Sequence, residues 1–120
     1  MRAWHIYFSI AVVLAATSAH AQQPASDAQS LSDAEIQAAF SGKKVEWSGL
    51  GVADFKADGD YEYTIKKNGQ HFRGKFVVGA NRLCYDFPTG KSQCDRIMKD
   101  KDGIYMINAA GTVYRAKFLN

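Results

Sequence analysis

The sequence predicts a mostly β fold: an antiparallel up-and-down meander of about eight strands, closed or strongly curled into a barrel, with one short N-terminal helix. Three observations carry this. From Lys43 onward, apolar and polar residues alternate with period two, broken at short intervals by glycine-containing turns. A helix start, Leu31-Ser32 with Glu35, stands just upstream of the first strand-like run. That many antiparallel strands in so short a chain leave exposed edges unless the sheet closes on itself.

The first segment reads as an export signal. Arg2 precedes an apolar run from Ile6 to Ala16, too short to span a bilayer comfortably, and Ala19-His20-Ala21 forms an A-x-A cleavage site. Residues 1–21 are therefore expected to be removed, leaving no stable membrane anchor and a new N-terminus at Gln22. Residues 22–30 are small and polar and read as a disordered leader. Residues 31–120 are expected to form a single barrel-like domain with the helix at its start. In that helix Ser32 is the N-cap and Glu35 completes a capping box. Leu31 and Ile36 fit a hydrophobic staple, and Ser41-Gly42 ends the helix. Ile36 and Phe40 lie four apart on one face, so so short a helix is expected to survive by docking them on the sheet.

The turns set the register. Val45 and Trp47 mark a strand before Gly49. A two-residue turn at Asp58-Gly59 would face Phe55 with Glu62, so a three-residue loop, Ala57-Asp58-Gly59, is chosen instead; it pairs Phe55 with Tyr61. This leaves Asp54 opposite Glu62, with lysines nearby. Asn68-Gly69 suggests a type I′ turn pairing Tyr63 with Gly74, Tyr61 with Phe76 and, on the outer face, Glu62 with Lys75. Gly79-Ala80 suggests a type II′ turn pairing Phe76 with Leu83 and Gly74 with Tyr85. Pro88-Thr89-Gly90 reads as a three-residue loop, with Pro preset for a type I turn and Gly at the left-handed position. That register sets Cys84 directly across from Cys94. Further strands are expected at 103–108 and 112–119.

Ser41-Gly42-Lys43-Lys44-Val45-Glu46 after a capped helix, then Leu83-Cys84-Tyr85 with a second cysteine in the next strand, resembles a group of small exported bacterial proteins, lipocalin-like in outline and without assigned function. The resemblance would cover most of the chain after residue 21. It implies an exported β-barrel and supplies no catalytic residues.

Composition excludes several classes. The chain carries 15 Lys+Arg against 12 Asp+Glu; the charges are interspersed, which argues against nucleic-acid binding. Two cysteines in an exported chain favour a disulfide, Cys84–Cys94, over a metal or redox site. His71 is the only histidine left after removal of residues 1–21, so no site needing two histidines is available. It is placed on the outer face beside the Asn68-Gly69 turn, away from any buried base of a catalytic triad. Asp58-Gly59-Asp60 and Asp100-Lys101-Asp102-Gly103 lack calcium-loop spacing, and Gly49-Leu50-Gly51 lacks the rest of a phosphate loop. No metal or cofactor is expected.

The expected function is therefore non-enzymatic binding in the periplasm or outside the cell. The partner is a small molecule held in the barrel or, alternatively, an envelope protein such as a lysozyme or another exported hydrolase. Tyr63 and Tyr85 fall on the inner face, either as core aromatics or as pocket lining. Gly74 between them either lies under covering rings or leaves a slot. The Cys84–Cys94 register aims Gln93 and Asp95 at the same face. Because lone charges are rarely buried, the favoured expectation is that a bulge or strand twist turns this pair to solvent. The alternative makes them the polar groups of a mostly apolar cavity.

Overall fold

The computed structural model describes residues 25–120. The expected signal peptide, its cleavage site and residues 22–24 lie outside the described residues. The chain runs through β1 (Gln29–Ser30), α1 (Asp33–Phe40), β2 (Lys44–Trp47), β3 (Gly51–Phe55), β4 (Asp60–Ile65), β5 (His71–Gly79), β6 (Arg82–Asp86), β7 (Ser92–Asp100), β8 (Gly103–Ile107) and β9 (Val113–Phe118). Strands β2 to β9 pair antiparallel in chain order, and β9 pairs back onto β2, so the eight strands close into a barrel. β1 adds to β7 through Gln29 opposite Lys99 and Ser30 opposite Met98. The leader expected to be disordered to Ser30 is thus ordered at its end, because the edge of the long strand β7 beyond β6 offers it free backbone partners.

Side chains obey the period-two rule around the barrel. Val45, Trp47, Ala53, Phe55, Tyr61, Phe76, Leu83, Tyr85, Ile97 and Met106 point inward and are buried. The helix plugs one end. Its capping box is complete, with Ser32 Oγ accepting from the Glu35 amide (3.2 Å) and Glu35 Oε1 accepting from the Ser32 amide (3.2 Å). Leu31, Ile36 and Phe40 are buried. Phe40 stands edge-on to Phe55 (5.3 Å) and stacks near Trp47 (5.7 Å), so docking on the barrel, rather than helix propensity, stabilises these two turns.

The loop Ala57-Asp58-Gly59 gives the expected register, with Phe55 opposite Tyr61 and Asp54 opposite Glu62. Lys56 Nζ sits 2.7 Å from Asp54 and relieves that like-charge pair. The loop Pro88-Thr89-Gly90, with Gly90 left-handed at φ 83°, sets Cys84 opposite Cys94. The two are joined in a disulfide.

Two turns differ from expectation, each by a register step of two. Between β4 and β5 the connection is a four-residue loop, 66–69, closed by the Ile65 amide on the Gln70 carbonyl (2.8 Å). Only Gly69 is left-handed there; Asn68 instead accepts the Gln70 amide with its side chain (2.9 Å), an Asx turn in place of type I′. Tyr63 therefore faces Phe72 and Tyr61 faces Gly74. Glu62 faces Arg73, not Lys75, and Lys75 pairs with Asp60. Between β5 and β6 the two-residue turn is Ala80-Asn81, with φ 53° and 60°, in place of Gly79-Ala80. Phe76 now faces Tyr85, and the Asn81 amide donates to Asp33 Oδ1 (2.7 Å), tying the turn to the helix start. A step of two keeps every residue on its face, so the barrel interior keeps its expected members.

Candidate functional site

Strand directions send α1 and the turns at 57–59, 80–81 and 101–102 to one end of the barrel. The loops at 48–50, 66–70, 87–91 and 108–112 gather at the other. The interior behind this second group is hollow. A cavity of about 790 Å³ lies there, lined by Trp47, Tyr63 and Met106 and by Phe72, Phe87 and Pro88 at or beside the loops of that end. That volume lies within the range of pockets for small organic ligands.

Its walls are aromatic. Tyr61 and Tyr85 pack at 4.6 Å between ring centres, and Tyr63 stacks parallel to Tyr61 at 6.3 Å. Phe87 stands edge-on to both Tyr61 and Phe72, at 6.2 Å in each case. A row of rings thus continues from the helix plug, through Phe55, to the mouth. Tyr114 of β9 lines the cavity as well. Burial pushes the Tyr61 and Tyr85 hydroxyls well above their ordinary pKa, and that of Tyr63 up to about 12. The Tyr63 hydroxyl is buried without a hydrogen-bond partner.

Among these rings stands one carboxylate. Asp95 points inward from β7 and is 1 % exposed, so the favoured expectation that it turns to solvent is overturned. No bulge intervenes: Leu83–Asp95 and Tyr85–Gln93 continue the ladder from the disulfide, which holds strand orientation fixed. Gln93 is exposed as a residue, yet its Nε2 donates to Asp95 Oδ1 and Oδ2 (3.2 and 3.3 Å). Desolvation raises the Asp95 pKa, and the Gln93 amide offsets part of that shift. The carboxylate field in turn adds to the upward shifts of Tyr61, Tyr63 and Tyr85.

Tyr63, Tyr85, Gln93 and Asp95 therefore share one cavity; Gly74 does not line it. A side chain at Gly74 would meet the Asp86 carbonyl oxygen at 2.3 Å and the Phe87 ring at 3.2 Å. The glycine lets β5 and β6 approach; the register step moved it from beside Tyr85 to beside Phe87, where it lines a separate shallow pocket with Lys75 and Asp86. The glycine under Tyr63 is Gly51 instead, whose added Cβ would stand 2.8 Å from the Tyr63 hydroxyl oxygen. His71 is exposed, its Nδ1 3.0 Å from Thr64 Oγ1. The mouth residues Phe72 and Phe87 were not singled out from sequence. The dipeptide Phe87-Pro88, apolar at the start of a turn, was the available signal.

Among the described residues no group of three or more His, Cys, Asp or Glu side chains is arranged to hold a metal ion. None of their helices is long and apolar enough to cross a membrane. Comparison with protein families, with curated proteins and with solved structures gives no match.

Proposed function

We propose that the protein is a non-enzymatic, exported binding protein that holds a small organic molecule inside its barrel. The hollow, aromatic-lined interior with one buried carboxylate carries this reading. A barrel of eight strands can be filled by its own side chains; here the half behind the helix is filled and the half toward the mouth is open. The alternative, a binder of a lysozyme or another envelope protein, called for a filled core and a protruding charged loop; the open interior favours the small ligand. A disulfide clasping the mouth hairpin suits an oxidising compartment, in keeping with the export signal read in residues 1–21. The resemblance to lipocalin-like exported proteins, read from the Ser41-Gly42-Lys43-Lys44-Val45-Glu46 and Leu83-Cys84-Tyr85 runs, is part of the same proposal.

The test is saturable binding of a neutral apolar fluorophore, N-phenyl-1-naphthylamine, together with native mass spectrometry of protein purified from its own compartment. One-site binding that is lost when Leu50→Trp narrows the cavity supports the reading. No saturable binding and no co-purifying mass would overturn it.

A further inference from the structure

We infer that the cavity selects an organic cation: an ammonium group carried on an apolar or aromatic body, with the ammonium beside Asp95 and the body among the tyrosine rings. This deepens the small-ligand reading and rests on it.

A carboxylate 1 % exposed is costly to keep ionised without a countercharge, and buried charges are normally paired. The hydrogen bonds to Asp95 come from a neutral amide, Gln93 Nε2, at 3.2 and 3.3 Å. The ion pairs among the described residues lie elsewhere: Lys56 with Asp54, Arg73 with Glu62, Lys75 with Asp60, Lys99 with Glu35 and Arg115 with Asp100. The positive charge that would complement Asp95 is best supplied by what enters the cavity.

The walls agree with that polarity. Aromatic faces are negative, and tyrosine rings attract cations, alkylammonium groups above all. Tyr61, Tyr63 and Tyr85 stand close enough for the Asp95 charge to act on each of their hydroxyls. The Tyr63 hydroxyl oxygen, buried and without a partner, adds an acceptor to the same wall. A hard metal ion would need several oxygen ligands, whereas one carboxylate in an apolar cavity matches the single charge of an organic ammonium whose body is apolar. Arg73 is paired with Glu62, and Lys91 and His71 line the cavity from the 87–91 loop and the start of β5. They make an anion the pertinent competitor.

The experiment titrates the protein calorimetrically with three probes of one shape and different charge: phenethylammonium, phenethyl alcohol and hydrocinnamate. The cation should bind at least about tenfold tighter than the alcohol, equivalent to about 1.4 kcal/mol, and the anion most weakly. Asp95→Asn should erase the preference, bringing the cation's affinity to within about twofold of the alcohol's in the same variant. The wild-type comparison stands whether or not that variant folds. Saturable binding with equal affinities, or a preference for the alcohol or the anion, overturns the cation inference and leaves the binding reading intact. If none of the three probes binds and the neutral fluorophore also fails, both fall together.

Discussion

Arg115 grips Asp100 with both prongs of its guanidinium, Nη1 to Oδ1 at 2.7 Å and Nη2 to Oδ2 at 2.6 Å, on the outside of the barrel. The Asp100 side chain is 0 % exposed, and its Oδ2 also accepts the Ala25 amide at 2.9 Å. Tyr105, outward-facing yet buried, lies 4.8 Å beneath the same guanidinium. The pair therefore fastens β7 to β9 and anchors residues 25–30 over the junction. Arg115 holds the Asp100 pKa well below the ordinary carboxylate value of 3.8. A lowered acid contributes stability that is fully present above that ordinary value and is lost as pH falls through the lower, folded-state value. Asp100→Ala should cost about 3 kcal/mol at pH 7, because it removes both charge-assisted bonds to the Arg115 guanidinium and the acceptor of the Ala25 amide. In urea unfolding the gap from wild type should narrow below pH 3.8. A gap independent of pH would mean the ion pair is not its source.

Which parts of this fold can be read in the sequence follows from the turns. Gly59, and Pro88 with Gly90, have backbone preferences that fix loop length, so the registers Phe55–Tyr61 and Cys84–Cys94 follow directly. Asn68-Gly69 and Gly79-Ala80 are compatible with two loops whose registers differ by two. Alternation cannot separate these, since both keep the same inner face. The choice depended on side-chain hydrogen bonds, Asn68 to the Gln70 amide and Asp33 to the Asn81 amide. Of the candidate site, the inward aim of Asp95 was legible from the cysteine register. Its burial was not, because burial depends on whether the space beside it is filled, and that is decided by strands distant in sequence. Gly74 falls outside the main cavity for the same reason as the register: two residues along β5 move it from beside Tyr85 to beside Phe87.

Burial makes Asp95 a cost to the empty barrel. Its pKa is raised, so the folded state binds the proton more tightly than the unfolded chain does. For a raised acid, stability is greatest when the group is protonated and falls as pH rises from 3.8 to the folded-state value, above which the loss is constant. Asp95→Asn should therefore stabilise the ligand-free protein at pH 7 by roughly 1–3 kcal/mol, the scale of an incompletely satisfied buried group. The gain should vanish toward pH 3. Thermal unfolding across that range is the measurement, and a destabilised Asn variant at neutral pH would contradict the account.

Gly51 and Gly74 are needed for contact rather than for backbone freedom. An added Cβ at either would stand 2.3 Å from a carbonyl oxygen of the adjacent strand, Thr64 or Asp86. Backbone cannot swing aside as a side chain can, so Gly51→Ala and Gly74→Ala should each destabilise by about 1–3 kcal/mol. Gly51→Ala should in addition displace the Tyr63 ring and weaken binding in the cavity. Urea midpoints with fluorophore titration would separate the two variants.

The Cys84–Cys94 bond closes a hairpin whose tip, Phe87 to Lys91, forms part of the cavity mouth. In the chain-entropy picture a loop this short contributes roughly 2–3 kcal/mol. Reduction should lower the unfolding free energy by that amount and weaken binding through loosened Phe87 packing on Tyr61. Non-reducing peptide mapping should recover both cysteines in one linked species. Two free thiols in protein from an oxidising compartment would contradict the bond.

The β5–β6 turn offers a direct test of register. With Ala80 and Asn81 at φ 53° and 60°, Ala80 bears the strain of the left-handed region, while Gly79 is an ordinary strand residue with open space where a side chain would stand. A left-handed alanine costs about 1–2 kcal/mol, and glycine returns part of that through its greater unfolded freedom, so Ala80→Gly should stabilise by about 0.5–1 kcal/mol. Gly79→Ala should be neutral or stabilising by up to about 1 kcal/mol. The other register, with Gly79 at the first turn position, demands the opposite sign at Gly79, because alanine would then be forced into the left-handed region. Paired urea midpoints for the two variants therefore decide between Phe76 facing Tyr85 and Phe76 facing Leu83. A loss of more than 1 kcal/mol in Gly79→Ala, with no gain in Ala80→Gly, would return the turn to Gly79-Ala80 and move Gly74 back beside Tyr85.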